Sequence, residues 1–269
     1  MTPKKVTDSS EALRLIENFK TKSTLSNCYL MGQGLERIVL KEHLWYVVNS
    51  RNAFFLEDKG NCFRIHYMIN DENIDFPLVT DKPLMIEILF RGKDGEPEQV
   101  IRYWENQGFK RNLVRQNLTA RYVDLNLSPS DEKFDIHIAE TEEEGKFAKL
   151  LFNDSFDPFS GDYIDSEDVE VLLRERHILI AYNNGNACGA LHFYNVGICA
   201  WIGHVAVKPD ARGQGLGRAL VKTYISLNHV DGKSRYALWV QSQNQAAIAM
   251  YERFGFKSVD KSSLSMIKE

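Results

Sequence analysis

Cysteine is scarce in this chain and poorly spaced for chemistry. The four present, Cys28, Cys62, Cys188 and Cys199, form no Cys-x-x-Cys pair. That excludes the usual thiolate metal site and the dithiol redox motif, and no metal is expected. A reduced, cytoplasmic setting is the simplest expectation. Cys188 and Cys199 sit in apolar, strand-like runs and read as small core residues. Long apolar runs are missing too: none approaches the ~20 residues of a membrane-spanning helix, so no membrane partner is expected. The opening MTPKKVTDSSEAL is basic but has no apolar segment behind it, unlike a signal peptide. Excess positive charge is also lacking. With 33 Lys and Arg against 37 Asp and Glu, the formal net charge is −4, which argues against a nucleic-acid partner.

What is present suits a globular protein. Hydrophobic residues make up 43% and charged residues 26% of 269 positions, enough for one large domain or two of about 130 residues. The most informative stretch is Val205-Ala-Val-Lys-Pro-Asp-Ala-Arg-Gly-Gln-Gly-Leu-Gly-Arg-Ala-Leu220. Ile202, Val205, Ala206 and Val207 read as a buried strand that Pro209 stops. Leu216, Leu220, Tyr224 and Leu227 then recur at helical spacing. Between strand and helix lies Arg212-Gly-Gln-Gly-Leu-Gly217. A helix start offers N–H groups without helical partners and the positive end of the macrodipole. Gly213, Gly215 and Gly217 remove the Cβ atoms that would hold an anion away. A phosphate or pyrophosphate site is the expectation. The alternative, a tight turn with close helix packing, uses the same glycines.

Elsewhere, Asp8 and Glu11 match a capping box before a helix marked by Ala12, Leu15, Ile16 and Phe19. Four strand-like runs follow, Leu35–Leu40, Leu44–Val48, Ala53–Leu56 and Cys62–Ile69, with short turns that predict an antiparallel meander. Leu84–Phe90 is a further strand, Val100, Ile101 and Trp104 mark a short helix, and residues 112–127 read as strand. The polar Leu127-Ser-Pro-Ser-Asp-Glu-Lys133 is the expected linker, dividing the chain into 1–129 and 130–269. Thr141 and Glu144 form a second capping-box match. Asn183-Asn-Gly-Asn186 predicts a hairpin turn, and Asn244 is a candidate N-cap for a helix carrying Ala247, Ile248 and Tyr251. Tyr103-Trp-Glu-Asn-Gln-Gly-Phe-Lys110 echoes Met250-Tyr-Glu-Arg-Phe-Gly-Phe-Lys257, which suggests a diverged duplication.

With both motifs placed, the second half resembles the GNAT family of acyl-CoA-dependent N-acyltransferases. Arg212-Gly-Gln-Gly-Leu-Gly217 is similar to the family's Arg/Gln-x-x-Gly-x-Gly/Ala loop. Asn244 with Ala247-Ile-Ala-Met-Tyr-Glu-Arg-Phe-Gly-Phe256, after Leu238-Trp-Val240, is similar to its second motif. The first half keeps only the tail near Trp104–Lys110. Where a glycine loop would stand it has Asn70-Asp-Glu-Asn-Ile-Asp-Phe-Pro77, acidic and without glycine. The resemblance therefore implies a tandem GNAT protein with a degenerate first copy. Its fold class would be α/β (α+β), with mixed, mostly antiparallel twisted sheets flanked by helices.

The resemblance implies acetyl-CoA as cofactor, held between the strand ending at Val207 and the strand Leu238–Val240. Backbone groups near Val205 and Val207 would pair with the pantetheine. Arg212, Gly213, Gln214, Gly215, Leu216, Gly217 and Arg218 would hold the pyrophosphate, and Asn244 the pantetheine or a water. An N–H near Val205 would stabilise the oxyanion. Tyr251 would protonate the departing thiolate, although its position on an apolar helix face equally fits a core aromatic. His204 is the candidate base, although strand alternation also allows it to point into the core. The carboxylate that the family often carries on this strand is missing between Ile198 and Val207. Asp157, Asp162 and Tyr163 would line the acceptor mouth, suited to a cationic amine. The expected activity is N-acetylation of a primary amine on a small molecule or peptide. A non-catalytic acyl-CoA sensor and a GNAT-like aminoacyl transferase using charged tRNA are the alternatives.

Overall fold

The computed structural model describes residues 2–77, 80–92, 95–127, 133–159 and 163–269, except the side chain of Gln33. The chain divides into two compact units. The first comprises 1–114, 159–161 and 262–269, and the second 115–158 and 162–261. The linker expected near 129/130 falls among residues 128–132, outside the described residues. The units are not simple sequence halves: the last eight residues belong to the first unit, and residues 115–127 to the second.

The first unit contains β1 (Lys4–Lys5), α1 (Ser9–Phe19), β2 (Leu25–Ser26), α2 (Gly32–Leu40), β3 (Leu44–Val48), β4 (Ala53–Asp58), β5 (Phe63–Ile69), β6 (Leu84–Arg91) and α3 (Glu98–Asn106). Strands β3, β4 and β5 form the antiparallel meander read from the sequence. The run Leu35–Leu40 is helix rather than strand. Leu35, Ile38 and Val39 recur at i, i+3 and i+4, and that face packs into a core with Ala12, Phe55 and Met68; burial of this face outweighs the modest strand preference of Ile and Val. Asp8 caps α1 through the Ser10 N–H, but Glu11 does not close a capping box. Its carboxylate instead accepts a hydrogen bond from the Tyr46 hydroxyl. Strands β5 and β6 run parallel, and α3 covers the opposite sheet face with Val100, Ile101, Tyr103 and Trp104.

The second unit takes in most of β7 (Lys110–Arg121), then β8 (Asp135–Ile138), α4 (Glu142–Ser155), α5 (Ser166–Arg174), β9 (Ile178–Asn183), β10 (Asn186–Val196), β11 (Cys199–Val207), α6 (Leu216–Val230), β12 (Arg235–Gln241), α7 (Gln245–Phe254) and part of β13 (Lys257–Lys268). Its strand order is β7-β12-β11-β10-β9-β8. All of these pairings are antiparallel except β11 with β12. Helices α4 and α5 cover one face with Ala148, Phe152, Val169 and Leu172. Helices α6 and α7 cover the other with Leu220, Tyr224, Ile248 and Tyr251. Thr141 and Glu144 form a complete capping box at α4, and Asp165 with Asp168 forms another at α5 that the sequence reading missed. Along the chain an antiparallel meander, a parallel strand pair, a helix followed by Gly-Phe-Lys and a long strand occur twice, the long strands being β7 and β13. The mixed α/β fold and the repeated order match the reading from sequence.

Candidate active site

Strand β11 is the axis of the site. Its parallel ladder with β12 joins Cys199, Ala200, Trp201 and Ile202 to Arg235, Tyr236, Ala237 and Leu238, and goes no further. Past Ile202 the two strands part, and among the described residues no other strand pairs with this edge of β11. On the other edge the register with β10 shifts between His192 and Phe193, so Gly203 is an extra residue opposite a continuous partner. This is a β-bulge, a device that bends a strand and re-aims its side chains.

Beyond the open edge, the glycine loop leads into α6. Gly213 and Gly215 have φ of +76° and +91°, and a Cβ at either would meet nothing within 4 Å. Gly215 is the N-cap of α6 and has no side chain to satisfy the first N–H groups. The Ala219 N–H already bonds to the Gly215 carbonyl, while those of Leu216, Gly217 and Arg218 precede the helical ladder. Lys208, Arg212 and Arg218 stand around this turn against one carboxylate, Asp210. The Arg212 Nε donates to the Val207 carbonyl at 3.0 Å, tying the loop to the strand end. Gln214 donates to the Asp210 carbonyl, and Arg218 lies over the Phe254 ring. Leu216 is buried, packed so close to Gly189 that a Cβ there would come within 3.0 Å of it. A Cβ on Gly217 would lie 3.8 Å from both Val207 and Met250. The strand end, the loop and α7 thus converge, and Val205 and Val207 lie half-buried on the α6 side.

Asn244 caps α7, accepting from the Ala247 N–H at 3.1 Å. Tyr251 is buried in the α6–α7 core beside Phe256, and burial pushes its phenol well above the ordinary value, so it is protonated at neutral pH. Among the described residues its hydroxyl has no hydrogen-bond partner, and it is not a sealed orphan atom. His204 faces the other layer: it is 6% exposed, against Phe152 and Phe156 of α4. Its Nδ1 lies 3.0 Å from Nδ1 of His192, a neighbour the sequence reading missed because the two are 12 residues apart. Asp157 and Tyr163 flank the connection between α4 and α5, both half-buried, while Asp162 lies outside the described residues. The Asn153 side chain holds the far end of that connection, accepting from the Ile164 N–H and donating to the Ile164 carbonyl.

The first unit shows what happens when the same strand geometry is closed. The β5–β6 ladder also stops after three pairs, at Ile65 and Ile86. Here β2 pairs with the vacated edge at Met68 and Ile69. Between these ladders the buried Asn27 spans the gap. It donates to the carbonyls of Ile65 and Glu87 and accepts from the Tyr67 N–H at 2.7 Å. The N–H groups of Asn70 and Asp71, where a phosphate loop would begin, are taken by Asn52.

A strand, glycine loop and helix thus lie beside a parted parallel strand pair. Residues 146–256 match the model of the Acetyltransferase (GNAT) family. Mycothiol acetyltransferase of Streptomyces coelicolor is 34% identical over 98 residues, covering 35% of this chain and 31% of that protein. The chain thus spans about a third of the relatives it matches first. In fold, a GCN5-related N-acetyltransferase from Sphaerobacter thermophilus superposes with a TM-score of 0.61 at 13% identity, covering 97% of this chain and 85% of that one. A tandem GNAT protein from the clavulanic acid biosynthesis pathway gives 0.56 at 12% identity, covering 94% and 86%. No helix among the described residues is long and apolar enough to cross a membrane.

Proposed function

We propose that this protein is an acetyl-CoA-dependent N-acetyltransferase that acts on a primary amine of a small molecule or peptide in the cytoplasm. The carrying observation is the open edge of β11 past Ile202, next to the uncapped start of α6. That edge fits a pantetheine chain, whose amides would complete the interrupted ladder. The cationic loop with space over Gly213 and Gly215 fits a pyrophosphate. In this reading Val205 and Val207 bind the pantetheine, Arg212–Arg218 the pyrophosphate, and Asn244 the far side of the wedge. Acetyl-CoA supplies the acetyl thioester. The Tyr251 hydroxyl, protonated and without a partner among the described residues, gives a proton where the thiolate leaves. His204 takes the proton of the amine, and a backbone N–H near Val205 stabilises the oxyanion. Asp157, Asp162 and Tyr163 receive a cationic acceptor.

The first unit is proposed as a degenerate copy that binds no CoA, because β2 and Asn27 occupy the edge that is open in the second unit. One observation favours a second reading: β11 carries no carboxylate, as expected of a sensor that binds acyl-CoA without turning it over. Incubation of acetyl-CoA with a panel of amines, followed by free-thiol release, separates the two. Thiol release that depends on an amine supports the transferase; saturable binding with no release for any amine supports the sensor.

A further inference from the structure

Strand β8 is the last strand of the second unit's sheet: it pairs with β9, and among the described residues no strand pairs with its outer edge. An open edge offers backbone groups to another strand unless proline, a bulge or a row of charges blunts it. Residues 134–138, Phe-Asp-Ile-His-Ile, hold no proline, and their register with β9 runs without a shift from Asp135 to Ile138. The Ala139 N–H donates to the Ile178 carbonyl at 2.9 Å. Alternate residues of an antiparallel ladder face the same way, so Asp135 and His137 bond to β9 while the N–H and C=O groups of Ile136 and Ile138 point outward. The side chains alternate as well. Phe134, Ile136 and Ile138 pack on the α6 side, and Asp135 and His137 lie exposed on the α4 side, where His137 meets Glu144. A groove of about 410 Å³ lies at this edge, lined by Ile136 and Ile138 of β8 and by Thr223 and Leu227 of α6.

We propose that the outer edge of β8 pairs with the same edge of a second copy of this chain, antiparallel about Ile136, and so joins two sheets into one. Two-fold pairing of this edge can centre on Asp135, Ile136 or His137. Centring on Asp135 sets that carboxylate against its own copy, and centring on His137 does the same for the imidazole; like charges directly opposite are destabilising. Centring on Ile136 sets each Asp135 opposite the other copy's His137, twice by symmetry. These are non-hydrogen-bonded pairs, the kind with the closest side chains, so the charges that would blunt the edge toward other strands become partners here. His137 favours its charged form, chiefly through its bond to Glu144. The same register gives Ile136 two backbone bonds to its own copy and matches Phe134 with Ile138. The two-fold axis then stands normal to the sheet. The apolar side chains of both copies share the α6 face and enter the grooves beside Thr223 and Leu227. At the rim, Glu140 and Arg176 neutralise each other at 3.3 Å. A ladder of about five residues a side is short for an interface, so micromolar affinity is expected.

The test is sedimentation velocity of the full chain from roughly 1 to 300 μM, at pH about 6, where imidazole is mostly charged. The chain is expected to pass from monomer to dimer over this range, and a monomer throughout overturns the proposal. Amide exchange followed by NMR reads the register. The Ile136 and Ile138 amides should slow as concentration rises, while those of Asp135 and His137, already bonded to β9, should not; the same response from all four would overturn the pairing. Ile136→Pro removes the central donor but no bond to β9, a change an edge strand tolerates, and should leave a monomer at every concentration. Asp135→Lys, at an exposed position, reverses two facing charges and should weaken the dimer about tenfold or more. Either variant, if folded, that dimerises as well as the parent chain overturns the pairing. If Ile136→Pro does not fold, Asp135→Lys decides alone.

Discussion

The glycine at position 215 permits a perturbation that separates shape from charge. Gly215 caps α6 at φ +91°, and a side chain there would point into open space. Gly215→Ala and Gly215→Glu both force an L-residue into the left-handed region, at about 1–2 kcal/mol of stability. Both should therefore shift the urea midpoint by a similar amount. They differ in one respect: the glutamate places a negative charge at the positive end of α6. A carboxylate roughly 6 Å from a bound phosphate, at an effective dielectric of about 20, is repelled by about 3 kcal/mol per charge. Glu should then weaken CoA binding roughly 100-fold beyond Ala at low salt, and the gap should narrow as salt is added. Titration calorimetry with CoA reads both numbers. If the Ala and Glu variants bind CoA equally, the loop does not hold the pyrophosphate and the anion site is wrong.

Tyr251→Phe should lower amine-dependent thiol release about 10²-fold or more while leaving CoA affinity and the unfolding midpoint nearly unchanged, since no group among the described residues bonds the hydroxyl; unaltered turnover would remove its acid role. Asn27→Ala strands two carbonyls and one N–H in the first unit, which should cost about 2–4 kcal/mol in urea unfolding. The stoichiometry should remain one CoA per chain, and a midpoint shift below about 0.5 kcal/mol would mean that Asn27 does not seal the gap. The His137–Glu144 pair, 2.8 Å apart at the start of α4, should give a stability optimum in pH. Chiefly its bond to Glu144 raises the His137 pKa, so its contribution is complete below the unfolded value near 6.5 and fades as pH rises through the raised one. Burial works against the Glu144 charge, but hydrogen bonds from Glu140, His137 and Thr141 outweigh it and hold its pKa down to about 2, so its contribution is present above ~4.5 and fades as pH falls toward 2. Urea midpoints across pH for His137→Gln should lose the alkaline limb; an unchanged profile would refute the linkage.

Much of this protein was legible in one dimension because the signals are local. A glycine run after a strand and before apolar residues at helical spacing fixes a strand–loop–helix, whatever surrounds it. Thr141 with Glu144 and Asn244 with Ala247 are caps made within four residues, and the structure forms both. The Glu-x-x-Gly-Phe-Lys pattern sits at the end of a helix and before a long strand both times it occurs. Local pattern misled at residues 35–40, where three β-branched or apolar side chains fit either period and packing against α1 chose the helix, and at Glu11, whose carboxylate bonds Tyr46 instead of closing a capping box.

The rest depended on which strand lies beside which. Periodicity tells how a side chain alternates but not which neighbour fills a strand's edge. Nothing in the local sequence around Asn27 says that its amide bridges Ile65 and Glu87, 38 and 60 residues away. Nor does His192 announce that a bulge at Gly203 brings it to His204. The sequence by itself determined the strand, the glycine loop and the helix, because each follows from the conformational preferences of neighbouring residues. The tertiary structure decided that β11 keeps an open edge while β5 does not, because edge pairing is a contact between segments far apart in the chain.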